Sequence, residues 1–228
     1  MSPRDPGAFA PGVAEASPPV SVRVNDVSLD ATGTVLEACR AAGAPVPAFC
    51  HDDRLRPGGH CRACMVELDG RMVAACTTHV REGAQVLTDT ARLRDYRRDL
   101  GELMVSESSP RGPVASQLEA WQVDGVRYGR ATPAHAPDSS HPYLRLDLDA
   151  CILCRRCVRA CEEIQGQFVY AVAGRGSESR LSWGAGAFAD SACVSCGACV
   201  TACPTDAITD ADRARAAEPL TGPNGVTQ

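Results

Sequence analysis

Lysine is missing from this chain; all 23 of its basic residues are arginine. Aromatic residues make up only 4% of the 228 positions. That is little for a protein built on a large conventional core. Metal ligation can replace part of such a core, because its binding energy is also folding energy. No apolar run approaches the ~18 residues of a transmembrane helix, so no membrane span is expected. The start, Met1-Ser-Pro-Arg-Asp-Pro-Gly-Ala, has neither the apolar core of a signal peptide nor paired arginines. A cytoplasmic location is therefore expected. The net charge of −5 and the lack of a basic, aromatic-studded stripe argue against a nucleic-acid partner. There is no Gly-rich dinucleotide fingerprint, no Ser/His/Asp set and no open metal site, so no catalytic residue is assigned.

Cysteine is abundant. Thirteen is an odd number and suits a reducing compartment better than a disulfide scaffold. Eight of the thirteen form the run C-x2-C-x2-C-x3-C, written twice: Cys151, Cys154, Cys157 and Cys161, then Cys193, Cys196, Cys199 and Cys203 before Pro204. In two-cluster ferredoxins the first three cysteines of a run hold one cluster and the fourth ligates the other. This assigns one [4Fe–4S] cluster to Cys151, Cys154, Cys157 and Cys203. The other goes to Cys161, Cys193, Cys196 and Cys199. Zinc takes a single four-ligand set, often with His, and has no use for a three-residue step ending in Cys-Pro.

Four more cysteines, Cys50, Cys61, Cys64 and Cys76, lie in the N-terminal part. Around them the pattern reads strand (Val20–Val24), turn (Asn25-Asp26), strand (Val27–Leu29), capped short helix (Thr34–Ala42), cysteine loop, and a hairpin across Asp69-Gly70. That is the order of a β-grasp ferredoxin. Plant-type [2Fe–2S] proteins space their cysteines C-x4-C-x2-C…C. Here the first gap is ten residues, so the match in spacing is partial. His51, His60 and His79 lie near, but with four cysteines present they are not expected to ligate. Cys39, inside the short helix, is expected to be a small buried hydrophobe.

The expected architecture is α+β. A disordered arm (1–19) precedes a β-grasp [2Fe–2S] ferredoxin-like domain (20–88). A helix-and-linker region (89–142) follows, with an apolar stripe of Leu93, Tyr96, Leu100, Leu103 and Met104 and a short helix over Val114–Trp121. A bacterial-type 2[4Fe–4S] ferredoxin-like domain (143–209), entered by a strand at Ser140–Leu146, and a flexible tail (210–228) complete it.

The phrases Thr34-Val-Leu-Glu-Ala38, Pro47-Ala-Phe-Cys50-His and Gly59-His-Cys61-Arg-Ala-Cys64-Met-Val-Glu67 resemble one group of proteins. It comprises the large iron–sulfur subunit of respiratory complex I, the matching subunit of NAD-linked hydrogenases, and the N-terminal part of NAD-dependent molybdenum formate dehydrogenases. The segment between the two cysteine runs is most similar to the formate dehydrogenase branch. The resemblance implies that Cys50, Cys61, Cys64 and Cys76 hold a [2Fe–2S] cluster. The family also carries a His-x3-Cys-x2-Cys-x5-Cys set after the long helix. This chain has no cysteine from Thr77 to Ala150, and His135 and His141 stand there without cysteines beside them.

Three clusters and no catalytic constellation imply an electron-transfer subunit of an oxidoreductase complex. The expected partners are a flavin- and NAD-binding subunit and a molybdopterin formate dehydrogenase subunit. A nickel–iron hydrogenase is the alternative to the latter, and a free polyferredoxin or a redox sensor are readings of other classes. Arg155, Arg156 and Arg159, in and after the first cysteine loop, are either a docking patch or a solvated face paired with Glu162 and Glu163.

Overall fold

The computed structural model describes residues 18–129, 136–184 and 186–212. Most of the expected N-terminal arm, the tail beyond 212 and His135 lie outside the described residues. The chain is α+β, as expected, and its first unit is a mixed five-stranded sheet. Strand β1 (Val20–Val24) pairs antiparallel with β2 (Val27–Ala31) across the Asn25-Asp26 turn. Helix α1 (Val35–Ala41) is opened by a full capping box between Thr34 and Glu37 and buries Val35, Leu36, Ala38 and Cys39. Strand β3 (Met65–Leu68) returns through Asp69-Gly70 as β4 (Arg71–Ala74).

Strand β5 (Ala84–Leu87) carries no signal in the sequence pattern. It enters the centre of the sheet, parallel to β1 and antiparallel to β3, giving the order β2-β1-β5-β3-β4. Four residues carry too short an alternation to announce a strand, and the pairing that makes them one is non-local.

Helix α2 (Ala91–Glu107) follows. Its stripe is only partly apolar. Leu93 is buried and Leu103 is exposed, while Arg97 and Glu102 turn inward. Arg97 donates to the carbonyl of Met65, and Glu102 accepts from the backbone N–H of Asp124, Gly125 and Arg127. Buried charges must find such partners. Helix α3 (Gly112–Ala120) starts with proline in its first turn and sends Val114 and Leu118 inward.

The C-terminal unit is built around the two cysteine runs. Short strand β6 (Leu144–Leu146) leads in. Helix α4 (Arg156–Arg159) continues directly into a π-helical turn, Ala160–Ile164. A small hairpin, β7 (Ala171–Ala173) with β8 (Arg180–Ser182), separates the runs. Helix α5 (Ala198–Ala202) and strand β9 (Ile208–Asp210), antiparallel to β6, close the unit. Among the described residues no helix is long and apolar enough to cross a membrane.

Candidate metal centres

In the N-terminal unit, the loop between α1 and β3 and the turn after β4 bring Cys50, Cys61, Cys64 and Cys76 together in the interior. Cys50 N–H donates to Cys61 Sγ at 3.3 Å, and Cys61 N–H returns to Cys50 Sγ at 3.4 Å. Thiols this close share protons unequally. Hydrogen bonds from Cys61 and then Cys76 pull Cys50 well below the usual thiol range. A hydrogen bond from Cys76 brings Cys64 down to about 7. Cys61 and Cys76 are driven up in return, first by those same bonds and then by burial. Thiolate is the form that binds metal, so the donor set suits a small cluster. Cys39 stands apart: burial and then Cys64 push its thiol to about 11, and it packs with the apolar core.

The C-terminal unit encloses two cavities. One is lined by Cys151, Cys154, Cys157 and Cys203, with Ile152, Leu181 and Ile208. The other is lined by Cys161, Cys193, Cys196 and Cys199, with Leu144, Val169 and Tyr170. The fourth cysteine of each run thus faces the cavity of the other run. One cause is α4 with its π-turn, a single helical segment that carries both Cys157 and Cys161.

The two loops repeat one backbone device. Leu153 and Ser195 have φ of 53° and 57°, and one step past the middle cysteine Arg155 and Gly197 have φ of 60° and 74°. Alternating hands turn successive N–H groups inward as an anion-binding nest. Leu153 N–H reaches Cys151 Sγ and Ser195 N–H reaches Cys193 Sγ, both at 3.4 Å. Three of these residues are not glycine, so the loops hold a conformation that costs about 1 kcal/mol or more per residue without compensation. An anionic cluster in the concavity would supply it. Burial raises the Cys151 and Cys154 thiols to about 11 and 12. The residues therefore fit the [4Fe–4S] groups expected of them in donor type and loop geometry.

Two side chains near these cavities had no role assigned from the sequence. Tyr170 directs its hydroxyl at Cys199 Sγ (3.5 Å) and stacks on the fully buried Phe188 (ring centroids 5.6 Å). His141 is buried against Phe188 and reaches Ser195 Oγ at 3.4 Å through Nε2. Neither lies near a cysteine in sequence, so spacing carried no signal for them.

Of the three arginines expected to dock a partner or solvate the loop, only Arg155 is exposed. Arg156 pairs with the buried Asp52 at 2.6 Å. Arg159 is buried, and its Nη1 and Nη2 donate to the carbonyls of Arg56 and Cys50. Glu162 and Glu163 pair instead with Arg56, at 3.5 and 3.4 Å. Asp52 and Arg56 sit in the ten-residue gap between Cys50 and Cys61, and the carbonyl of Cys50 stands at its start. Leu55, from the same gap, inserts between Ala160 and Ala202. The extra residues that break the plant-type spacing form a tongue that grips the C-terminal unit. Beside it Cys154 shares one apolar cluster with Cys50 and Cys61, filled in by Val114 and Leu118 of α3. His51 bonds Asp53 (2.9 Å), and His79 bridges to Thr34.

Comparison with known proteins agrees with this division. The family described as 2Fe-2S iron-sulfur cluster binding domain matches residues 17–91, and that described as 4Fe-4S dicluster domain matches 147–207. An NADH-quinone oxidoreductase subunit from Rhizobium meliloti is 28% identical over 83% of this chain and 23% of its own length. A putative formate dehydrogenase of Staphylococcus haemolyticus is 26% identical over 83% of this chain and 20% of its own. The chain thus spans about a fifth of the length of these curated relatives. A chain in the crystal structure of an NAD+-reducing [NiFe]-hydrogenase in the H2-reduced state superposes with a TM-score of 0.77. It is 30% identical, and the match covers 91% of this chain and 92% of that one.

Proposed function

Because the chain belongs to the iron–sulfur family that includes the R. meliloti NADH-quinone oxidoreductase protein and the hydrogenase chain, we propose that it is the electron-transfer subunit of an NAD-linked oxidoreductase complex. It would pass electrons between a catalytic subunit and a flavin subunit that handles NAD. The observation that carries this reading is the contact between the candidate sites. The tongue that carries Cys50 and Cys61 packs on Cys154, and α4 with its π-turn supplies one cysteine to each of the two remaining cavities. Iron–sulfur clusters held there act as one-electron carriers whose potentials follow burial, charge and hydrogen bonds to sulfur. Cys50, Cys61, Cys64 and Cys76 would hold [2Fe–2S]. Cys151, Cys154, Cys157 and Cys203 would hold one [4Fe–4S], and Cys161, Cys193, Cys196 and Cys199 the other.

Two catalytic partners are consistent with this. Similarity to the formate dehydrogenase of S. haemolyticus supports a molybdenum formate dehydrogenase subunit. The end-to-end match to the hydrogenase chain favours a nickel–iron hydrogenase subunit. Purified anaerobically, the chain should carry roughly ten irons, as one [2Fe–2S] and two [4Fe–4S] clusters. Alone it should neither oxidise formate or hydrogen nor reduce NAD, since hydride exchange with NAD needs a flavin. The complex pulled from its own cell through this chain should reduce NAD with one of the two donors. Stoichiometric zinc with little iron would sink the assignment, and the donor that works names the partner.

A further inference from the structure

Arg159 is a buried cation in an unusual position. It leaves α4 two residues after Cys157 and two before Cys161, and its guanidinium crosses into the N-terminal unit. Its hydrogen bonds go only to neutral carbonyls, of Cys50 and Arg56, and Nε makes none. Among the described residues no carboxylate forms an ion pair with it; the nearby Glu162 and Glu163 are taken by Arg56. Arginine cannot shed its charge in a protein. A buried charge without a counter-charge is costly, so something anionic must face it. On this side of the molecule the candidate is the Cys50, Cys61, Cys64 and Cys76 thiolate site, which Arg159 meets through the backbone carbonyl of Cys50.

Room for it is built in. A Cβ on Gly58 would stand 3.0 Å from Arg159 Cζ and 2.8 Å from the His60 ring, so the tongue needs glycine there for the guanidinium to enter.

The geometry points to Arg159 as a positioning residue that is the internal counter-ion of the [2Fe–2S] site. It holds that site's midpoint potential up and locks the Cys50 loop onto α4. This rests on the reading of Cys50, Cys61, Cys64 and Cys76 as the [2Fe–2S] ligands. Reduction adds one negative charge to the site, and a fixed cation in a water-poor surrounding favours that charge. The cation is delivered by the helix that carries Cys157, so a unit that shifted away from α4 would lose it. The potential of the first site is thereby tied to docking of the second unit.

The test is an EPR-monitored redox titration of the full chain, with iron and sulfide counted in every sample. Arg159→Gln should move the [2Fe–2S] midpoint to more negative potential, and move it further than either [4Fe–4S] midpoint. Arg159→Lys, which keeps the charge and loses the fork, should stay close to wild type. A purely structural arginine would lower the melting temperature in both variants and leave the midpoint alone. An unchanged midpoint in Arg159→Gln with all three clusters present overturns the proposal. Should that variant fail to assemble, Arg159→Met decides: it fills the same space without the charge, the midpoint should fall, and an unchanged value overturns the proposal. Failure of the underlying ligand reading has a different signature, a wild-type chain with no [2Fe–2S] signal.

Discussion

Tyr170 shows how a single side chain acts on these sites. Its hydroxyl donates to Cys199 Sγ from behind a stack of rings. A hydrogen bond to sulfur stabilises the more negative, reduced state of a cluster. Tyr170→Phe should therefore lower the midpoint of the cluster proposed at Cys199, with a stability cost of about 0.5–1.5 kcal/mol. Redox titration checks this, and an unchanged midpoint would mean the contact is inert. The thiols make a second prediction. Cys151 and Cys154, raised by burial to about 11 and 12, are protonated in the folded apoprotein at pH 7 to 9. Metal binds the thiolate, so each must release a proton when iron enters. Anaerobic reconstitution of the apoprotein should therefore tighten as pH rises from 7 to 9 and acidify a weakly buffered solution. Iron uptake that is flat over this window would contradict the burial of these thiols.

At the level of elements, the tongue between Cys50 and Cys61 decides how the two units meet. Leu55 is its apolar knob between the π-turn and α5. The Asp52–Arg156 pair and the Arg56 contacts with Glu162 and Glu163 ring it. Leu55→Ala should cost about 2–5 kcal/mol, because the two facing helical segments cannot close on the gap. The expected outcome is uncoupling. Iron content per chain stays at wild-type level, but thermal bleaching of the [2Fe–2S] and [4Fe–4S] absorption separates into two transitions. A single transition at an unchanged temperature would show that α3, with Val114 and Leu118, holds the units together unaided.

At the level of the molecule, the sites differ in exposure. The N-terminal cysteines are all buried, whereas Cys196 of the second run is exposed. Around that end stand Ile164, Phe168 and Val194, among the most exposed large apolar side chains of the described residues at 47%, 68% and 51%. Exposed apolar groups beside a redox site are what a permanent subunit interface would cover. Replacing Phe168 and Val194 together by Ser should leave cluster content unchanged while the catalytic subunit no longer co-purifies. Retention of the intact complex would move the interface elsewhere, for instance to the cleft lined by Leu103, Met104 and Leu153 beside Cys151.

Much of the candidate chemistry was legible in the order of residues alone, because the loops that would wrap a cluster are local. Two-residue steps in Cys151–Cys157 and Cys193–Cys199 need only a short nest of backbone. The crossing of Cys161 and Cys203 follows from the length of a short helix. Both hairpins and the Thr34 capping box are equally local and stand where the sequence put them. Other features depend on contacts between residues far apart in the chain. The four residues of β5 become a strand only by lying beside β1, about sixty positions away. Arg159 looks like one more exposed helix arginine until its bond to Cys50, 109 positions back, is seen. The ten-residue gap reads as a departure from ferredoxin spacing until Leu55 is found between two helical segments of the other unit. The candidate ligand sets rest on short loops, which sequence spacing sets. Burial, the pairing of charges and the contact between units depend on which distant surfaces come to exclude water from one another, and only the tertiary structure decides that.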